Sequence, residues 1–433
     1  MALLERGTYL RSLEGWLAEA MDGHGCLVLV GGEAGIGKTS LVRAFCDRHD
    51  ADARVLWGAC DALRTPRPLG PLLDIAREAG GELAGLVAGE PARHRLFGAF
   101  LDLLDSAGRP VVTVVEDAHW ADEATLDLLV FVGRRVAGTP AMVVVTYRDD
   151  EVGPGHPLRT VIGDLATARW VHRLELPALT REAVATLAGP EGIDPDRLHQ
   201  ITGGNPFFVT EVLGASSREV PPTVRDAVLA RAARLSPVAR GALDAAAVVP
   251  DGVELALLEA VARADAAAVD ECVAAGMLRG EGRGLRFRHE LARLAVERAG
   301  PAGRRVELHR QFLAHLAVAS RDDPARLAHH AEEAGMATAV LEHATAAAER
   351  AAALGAHREA VDHYATALRS AGGLADRRLA ELLERYAIEL GNTDRVTEAL
   401  EAAERALACW RREDDREREG ELLARRSMFL WGA

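Results

Sequence analysis

The chain has 433 residues, more than a single hydrophobic core usually serves, and this length predicts two to four domains. Apolar residues make up 49% of it and aromatic residues only 4%, a composition typical of a globular, largely helical protein. The net charge of -14 gives no electrostatic reason to approach DNA, RNA or an anionic membrane, because phosphate binding needs a concentrated Lys/Arg surface. We therefore expect no direct DNA binding by this chain and no membrane partner.

The cysteines and the amino terminus indicate the compartment. The five cysteines are odd in number and lack CxxC pairs, so we expect reduced thiols. No apolar run approaches the roughly 20 residues needed to span a bilayer. Glu5 and Arg6 stand where a signal peptide needs its apolar region. The sequence predicts a cytoplasmic protein.

Residues 1–175 show an alternation of strand and helix patterns. Residues 8–22 have apolar positions at helical spacing, and continuous apolar runs at 26–30, 111–115 and 142–145 are typical of buried parallel strands. Between the strands, helical patterns cover residues 40–49, 95–106 and 123–136. This rhythm predicts an α/β domain with a parallel sheet flanked by helices.

Beyond residue 175 the strand patterns fade and helices dominate. Thr180 has the features of a helix cap, and glycines followed by alternating apolar residues at 280–289 predict a β-hairpin closing a winged helix. From residue 305 the pattern is Ala-rich, and segments 359–368 and 398–407 match each other at a spacing of 39 residues. This is near the 34-residue period of tetratricopeptide repeats. An ordinary Ala-rich helical bundle is the alternative.

A glycine-rich loop with the pattern G-x-x-x-x-G-K-T lies between a predicted strand and a predicted helix. Its backbone N–H groups and the helix N-terminus can surround a β-phosphate, Lys38 can sit between the β- and γ-phosphates, and the Thr39 hydroxyl can ligate Mg²⁺. The sequence therefore predicts a P-loop that binds ATP or ADP with Mg²⁺ through Gly32, Glu33, Ala34, Gly35, Ile36, Gly37, Lys38, Thr39 and Ser40.

Two adjacent acids, Glu116 and Asp117, directly follow the strand pattern at 111–115. We predict that they join Thr39 around the Mg²⁺ ion and that one of them orients the attacking water. The alternative, that both acids only cap the following helix, is weaker, because adjacent acids after a strand are costly unless a cation faces them. Which acid serves the metal and which the water stays open, since Glu stands where Asp is usual.

Arg148 follows the strand pattern at 142–145. A guanidinium at that position could reach the γ-phosphate and act in hydrolysis. A surface salt bridge with Asp149 or Asp150 is an equally good interpretation.

Five motifs in order resemble the signal-transduction ATPases with numerous domains (STAND, AAA-type), and among them the large ATP-binding regulators of the LuxR type, relatives of the bacterial maltose regulator. The motifs are GEAGIGKTS at 32–40, VVTVVEDAHWADEATLDLL at 111–129, VTYRDDE at 145–151, GGNPFF at 203–208 and FRHE at 287–290.

The resemblance implies the domain order: a P-loop ATPase domain at 1–175, a helical lid at 176–235, a winged helix at 236–304 and tetratricopeptide-like repeats at 305–433. It also implies that Pro206 packs on the adenine and that His289 reaches the β-phosphate of ADP. The alternatives are a helix-start proline and a wing residue bonded to its own backbone. Nothing after residue 410 resembles the family's helix-turn-helix, so we expect either a truncated regulator or a short member.

Two functions follow from these features. The first is a slow ATPase serving as a switch, with ADP holding a closed monomer and an inducer on the repeats favouring ATP and self-association. The alternative is a turnover ATPase acting on a protein or nucleic-acid partner. The motif at 287–290 and the repeats favour the switch, because a turnover ATPase does not need a phosphate-sensing residue on a separate domain.

Overall fold

The protein is described here by a computed structural model that covers residues 3–63, 65–87, 89, 92–106, 108–189, 194–214, 224–250, 252–281, 284–319 and 323–431. Two compact units are present. The first comprises Met1–Ala62, Gly70–Ala121 and Leu126–Leu308, and the second comprises Leu63–Leu69, Asp122–Thr125 and His309–Ala433. The finer division into four domains stays a prediction.

A five-stranded parallel sheet forms the centre of the amino-terminal part of the first unit. Its strands are β1 (Cys26–Gly31), β2 (Arg54–Ala59), β3 (Val111–Glu116), β4 (Ala141–Thr146) and β5 (Val171–Glu175). They are arranged in the order β2-β3-β4-β1-β5, and every neighbouring pair is parallel. All residues of β1, β3 and β4 are buried, as their continuous apolar runs predict.

Helices surround this sheet. They are α1 (Gly7–Met21), α2 (Lys38–His49), α3 (Gly70–Ala79), α4 (Gly81–Val87), α5 (Arg93–Leu104), α6 (Glu123–Gly133) and α7 (Pro157–Leu165), with short 3-10 turns at Ala118–Trp120 and Val136–Gly138. Leu13 and Leu17 of α1 and Phe45 of α2 pack into one core with Val28 and Val30 of β1. The predicted α/β architecture is confirmed.

The rest of the first unit is mostly helical. Its elements are α8 (Arg181–Ala188), α9 (Pro195–Thr202), α10 (Pro206–Gly214), α11 (Val224–Ala232), α12 (Pro237–Ala247), β6 (Val253–Glu254), α13 (Leu255–Ala262), α14 (Ala266–Ala274), β7 (Leu278–Glu281), β8 (Gly284–Phe287) and α15 (Glu290–Ala299). Thr180 caps α8, as predicted, by accepting a hydrogen bond from the Ala183 N–H at 3.3 Å.

The predicted hairpin near residue 285 is formed by β7 and β8, which pair antiparallel, and β6 adds a short third strand. We call β7 and β8 the wing. Gly282 and Arg283, between these two strands in the sequence, lie outside the described residues. The strand ends earlier than predicted: β8 stops at Phe287, and His289 is the N-cap of α15.

Successive helices build the carboxy-terminal part of the chain. They are α16 (Ala302–Ala319), α17 (Pro324–Glu333), α18 (Ala337–Ala353), α19 (His357–Arg369), α20 (Asp376–Asn392), α21 (Val396–Arg412) and α22 (Arg416–Trp431). From α17 onward, each helix packs against the next one along the chain.

The 39-residue repeat corresponds to α19 and α21. Ala360, Tyr364 and Ala367 of α19 are buried, and so are the residues 39 positions later, Ala399, Ala403 and Ala406 of α21. The alanines at five of these six positions let neighbouring helices approach closely, which is how helical repeats stack. Among the described residues, no helix is long and apolar enough to cross a membrane.

Candidate nucleotide-binding site

The glycine-rich loop connects the end of β1 to the start of α2. Gly32, Gly35 and Gly37 have φ of 144°, 80° and 100°, a region that favours glycine. At Gly35 a Cβ atom would lie 2.8 Å from the Phe207 Cβ and 3.0 Å from the Asn205 Oδ1. Position 35 therefore needs glycine both for its backbone conformation and for its close packing.

Lys38 and Thr39 open α2 and face the carboxyl edge of the sheet. Lys38 is buried, and its Nζ donates hydrogen bonds to the carbonyl oxygens of Gly32 at 2.6 Å and Glu33 at 2.9 Å. Burial lowers the pKa of Lys38 to about 8, although the nearby Asp117 opposes this shift. Lys38 therefore still carries a positive charge for most of the time at pH 7.

Glu116 is the last residue of β3 and is buried. It accepts hydrogen bonds from the Thr39 hydroxyl and from the Trp57 Nε1 at 3.1 Å, and it pairs with the Arg286 guanidinium at 3.5 Å. Burial opposes its ionisation, but Arg286 and the Thr39 hydroxyl outweigh this and keep the pKa of Glu116 below its ordinary value. Glu116 is therefore an ionised carboxylate in contact with the P-loop threonine.

Asp117 has a different environment. Its backbone lies in the left-handed region with φ of 57°, and its N–H donates to the Thr146 hydroxyl at 3.0 Å. Burial, and then the charge of Glu116, raise its pKa to about 6. A pair of carboxyls whose pKa values are pushed apart is typical of two different roles. Glu116 is thus the stronger acid of the two and contacts Thr39, whereas Asp117 is the weaker acid.

The Thr39 hydroxyl and the two carboxyl groups provide oxygen donors at one place, directly beside the P-loop. Mg²⁺ prefers oxygen ligands, and it is usually held by one or two protein groups together with phosphates and water. The residues present fit this ion.

Arg148 lies just beyond β4 and is buried. Its guanidinium pairs with Glu151 at 2.5 Å and lies 4.6 Å from the centre of the Trp120 ring. The alternative prediction of a salt bridge with Asp149 or Asp150 is therefore wrong about the partner. The guanidinium pairs instead with Glu151, three residues beyond Arg148. Arg148 nevertheless lines the same cavity as Lys38, so the cation faces the site.

The GGNPFF motif contacts the P-loop directly. The Asn205 Nδ2 donates to the carbonyl oxygen of Ala34 at 2.9 Å, and the Phe207 N–H donates to that of Gly35 at 3.3 Å. Pro206 is the first residue of α10, where its missing N–H costs nothing. Phe207 lines the cavity whereas Pro206 is not among its lining residues, so contact of Pro206 with the adenine stays a prediction.

A cavity of about 390 Å³ separates these groups from the wing and α15. On one side lie Gly35, Lys38, Thr39, Glu116 and Asp117, and on the other lie residues contributed by the wing and the start of α15, namely Leu278, Arg279, Arg286, Phe287, Arg288, His289, Glu290 and Leu291. Cations therefore face the cavity from both sides, which suits a polyphosphate.

His289 lines this cavity and is half-buried. Its ring lies 4.3 Å, centre to centre, from that of Phe207. Burial, followed by the neighbouring arginine Arg288, lowers the pKa of His289 well below its ordinary value, so the imidazole is neutral at pH 7. A neutral ring has one N–H with which to donate a hydrogen bond.

The structure brings together more residues than the sequence predicted. Asn205, Arg286 and Trp57 were not singled out. Asn205 lies inside the GGNPFF motif, and Arg286 directly precedes Phe287 in the predicted wing strand, so the sequence could have indicated both residues. Trp57 lies on β2, an edge strand whose residues are mostly only partly buried, and no continuous apolar run marked it.

A parallel sheet with this loop between its first strand and the following helix defines a P-loop NTPase domain. Residues 2–145 match the family model described as an AAA ATPase domain. The fold and the family match therefore agree on an ATPase domain at the amino-terminal end of the chain.

Two known proteins give the wider similarity. A STAND protein with a tetratricopeptide repeat sensor from Pyrococcus horikoshii is similar in structure, with a TM-score of 0.54 and 15% identity, over 97% of this chain and 73% of that one. An uncharacterized protein of Rhizobium meliloti (strain 1021) is 27% identical over 89% of this chain. The chain spans 44% of the length of that relative.

A third similarity is weaker. Cdc6p from Pyrobaculum aerophilum aligns with 73% of this chain at 14% identity and a TM-score of 0.39.

Proposed function

We propose that this chain is a nucleotide-operated switch in which ATP or ADP with Mg²⁺ occupies the cavity between the P-loop and the wing. The observation that carries the proposal is the lining of this cavity, to which Lys38 and Thr39 contribute from one side and Arg286 and His289 from the other. A nucleotide bound there would contact both sides of the cavity. Whether it carries two or three phosphates can therefore set how tightly the P-loop side and the wing side associate.

The residues divide the chemistry as follows. The backbone of residues 32–37 and the start of α2 hold the phosphates, and Ser40 lies in the first turn of that helix. Lys38 neutralises phosphate charge, while Thr39 and Glu116 would hold the Mg²⁺ ion, which would supply further positive charge at the γ-phosphate. Asp117, with its raised pKa, accepts the proton of the attacking water.

Arg148 and Pro206 have supporting roles in this proposal. Arg148 faces the cavity but is paired with Glu151, so it can act on a γ-phosphate only by exchanging that partner. Pro206 precedes Phe207 at the cavity wall and would pack on the adenine.

His289 distinguishes the switch from a simple ATPase. Its neutral ring, held against Phe207, can donate one hydrogen bond to the β-phosphate of ADP. Such a bond stabilises the ADP-bound closed form, and removing it costs about 1 kcal/mol or somewhat more. Loss of His289 should therefore release ADP several-fold faster.

The regulatory part of the proposal is that the chain acts in the manner of the LuxR-type large regulators. An inducer, either a small molecule or a protein, binds the helical repeats and favours ATP and self-association. The helices α17 to α22 stack successively, and the structurally similar Pyrococcus protein is described as having a tetratricopeptide repeat sensor. These two observations support a sensor role for the repeats.

The nucleotide that co-purifies with the protein tests the proposal. We expect tightly held ADP, released after denaturation and identified by ion-exchange chromatography, in wild type but not in Lys38→Ala. His289→Ala should release a fluorescent ADP analogue faster and self-associate without inducer. If wild-type protein holds no nucleotide and hydrolyses ATP continuously without self-association, the chain is a turnover ATPase and the switch proposal is wrong.

A further inference from the structure

Three histidines meet where α16 packs near α17, far along the chain from the P-loop. His309 lies on α16, and His329 and His330 are neighbours on α17. One ring nitrogen from each residue lies within 4.8 Å of those of the other two. The Nδ1 atoms of His309 and His330 are 2.9 Å apart, and the three ring centres are 5.1 to 5.4 Å apart.

This cluster has an unusual environment for three polar rings. His309 and His330 are 2% and 0% exposed, and His329 is half-buried. His330 stacks on Phe312 of α16 with a centre-to-centre distance of 5.3 Å. The His330 Nε2 is buried without a hydrogen-bond partner among the described residues. If these residues only filled space in the core, apolar side chains would do so without leaving a buried nitrogen unpaired.

The chemistry of the three side chains also suits ligation. Each imidazole ring can offer one unprotonated nitrogen to an ion, and His is the commonest metal ligand in proteins. Three such rings at one place can therefore share one cation.

The distances are close to those of a metal centre. Metal–nitrogen bonds of about 2.0–2.1 Å place two imidazole nitrogens roughly 3 to 4 Å apart, depending on the coordination angle. The Nδ1 atoms of His309 and His330 are 2.9 Å apart, and one nitrogen from each of the three rings lies within 4.8 Å of the other two, so side-chain shifts of about 1 Å would bring all three to one ion.

We propose that His309, His329 and His330 form a binding site for a divalent transition-metal ion, Zn²⁺ in the first instance. Imidazole ligands suit zinc, copper and nickel and not Mg²⁺ or Ca²⁺, which take oxygen ligands. The site is chemically separate from the Mg²⁺ position beside Thr39 and Glu116. An ion here would join α17, the first helix of the repeats, to α16.

The test is a metal titration of tag-free, chelator-treated protein in buffer containing millimolar Mg²⁺, which occupies oxygen-rich sites. Isothermal titration calorimetry with ZnCl₂ should show one tight site per chain. CoCl₂ should give the visible absorption bands of cobalt bound by nitrogen ligands. Because even outer-shell partners of a metal site alter affinity by about tenfold or more, replacing a ligand, as in His329→Gln, should weaken Zn²⁺ binding at least tenfold.

The matched control is His315→Gln, which removes an exposed histidine from α16 and should leave Zn²⁺ affinity unchanged. His329 is the preferred position for substitution because it is only half-buried, so the variant should fold. Wild-type protein that binds no Zn²⁺ and gives no cobalt bands would overturn the proposal. So would equal Zn²⁺ affinity in wild type and His329→Gln, since the ion would then be bound elsewhere.

Discussion

Replacing Arg286 on the wing with Ala tests whether the wing is held against the P-loop through Glu116. The two side chains are 15% and 3% exposed, and their charged atoms are 3.5 Å apart. At an effective dielectric constant near 20, a pair at this distance attracts with about 5 kcal/mol before desolvation is subtracted. Desolvation offsets much of this, and because Arg286 is partly exposed we expect a net loss of about 1–2 kcal/mol in Arg286→Ala, below the roughly 3–5 kcal/mol for a fully buried pair that loses one partner.

That loss corresponds to a factor of roughly 5 to 30 in an equilibrium constant. We therefore expect Arg286→Ala to speed release of a fluorescent ADP analogue, measured by stopped flow, by about this factor. The pKa of Glu116 should rise, because its largest stabilising charge is removed. Arg298→Ala is the matched control, since it removes the same charge from an exposed position on α15.

A double-mutant cycle shows whether the effect passes through Glu116. In a Glu116→Gln background, Arg286→Ala should have less than half its effect on the ADP release rate, because the partner charge is gone. The reasoning is refuted if Arg286→Ala releases ADP at the same rate as Arg298→Ala. A full effect in the Glu116→Gln background would instead assign Arg286 to a contact that does not involve Glu116.

Four further predictions concern the site and the chain. Lys38→Ala should lower ATP affinity at least tenfold, about 1.4 kcal/mol, in calorimetry. Asp117→Asn should retain ATP but suppress hydrolysis in a phosphate-release assay, whereas the same result from Glu116→Gln would reverse the two acids. Because the Asp117 carboxyl must be ionised to take a proton and its pKa is raised from 3.8 to about 6, wild-type hydrolysis should fall as pH drops through 6, and a rate flat down to pH 5 would contradict this. The chain should show no sequence-specific duplex DNA binding in a gel-shift assay at physiological salt.

The sequence predicted those parts of the fold that a short, contiguous residue pattern defines. The P-loop was readable because its glycines stand at fixed spacing before Lys38 and Thr39, and the central strands β1, β3 and β4 were readable because each contains a nearly continuous apolar run. The edge strands β2 and β5 were not predicted. They are partly exposed, so their apolar residues do not form the continuous runs that identified the central strands.

The candidate site was predictable in its parts but not in its contacts. Nothing in the sequence links Arg286 to Glu116, which are 170 residues apart, because such a pairing depends on how the wing packs in the first unit. The partner of Arg148 was missed for a smaller reason. Asp149 and Asp150 are nearer in sequence, but residue 151 is three positions on, where the chain turns back towards the guanidinium.

Phe207 lies between the P-loop and the start of α15 within the first unit. On one side it packs against Gly35 of the P-loop, and on the other its ring contacts His289 at the start of α15. A displacement of the loop at Gly35 would therefore press on Phe207, and a shift of Phe207 would in turn reach His289. We therefore expect this single ring to couple the phosphate-binding loop to the start of α15, so variants at Gly35 and His289 should show non-additive effects on nucleotide release. We expect exchange of Phe207 for a smaller residue to weaken this coupling, so that the effects of variants at Gly35 and His289 on nucleotide release become additive.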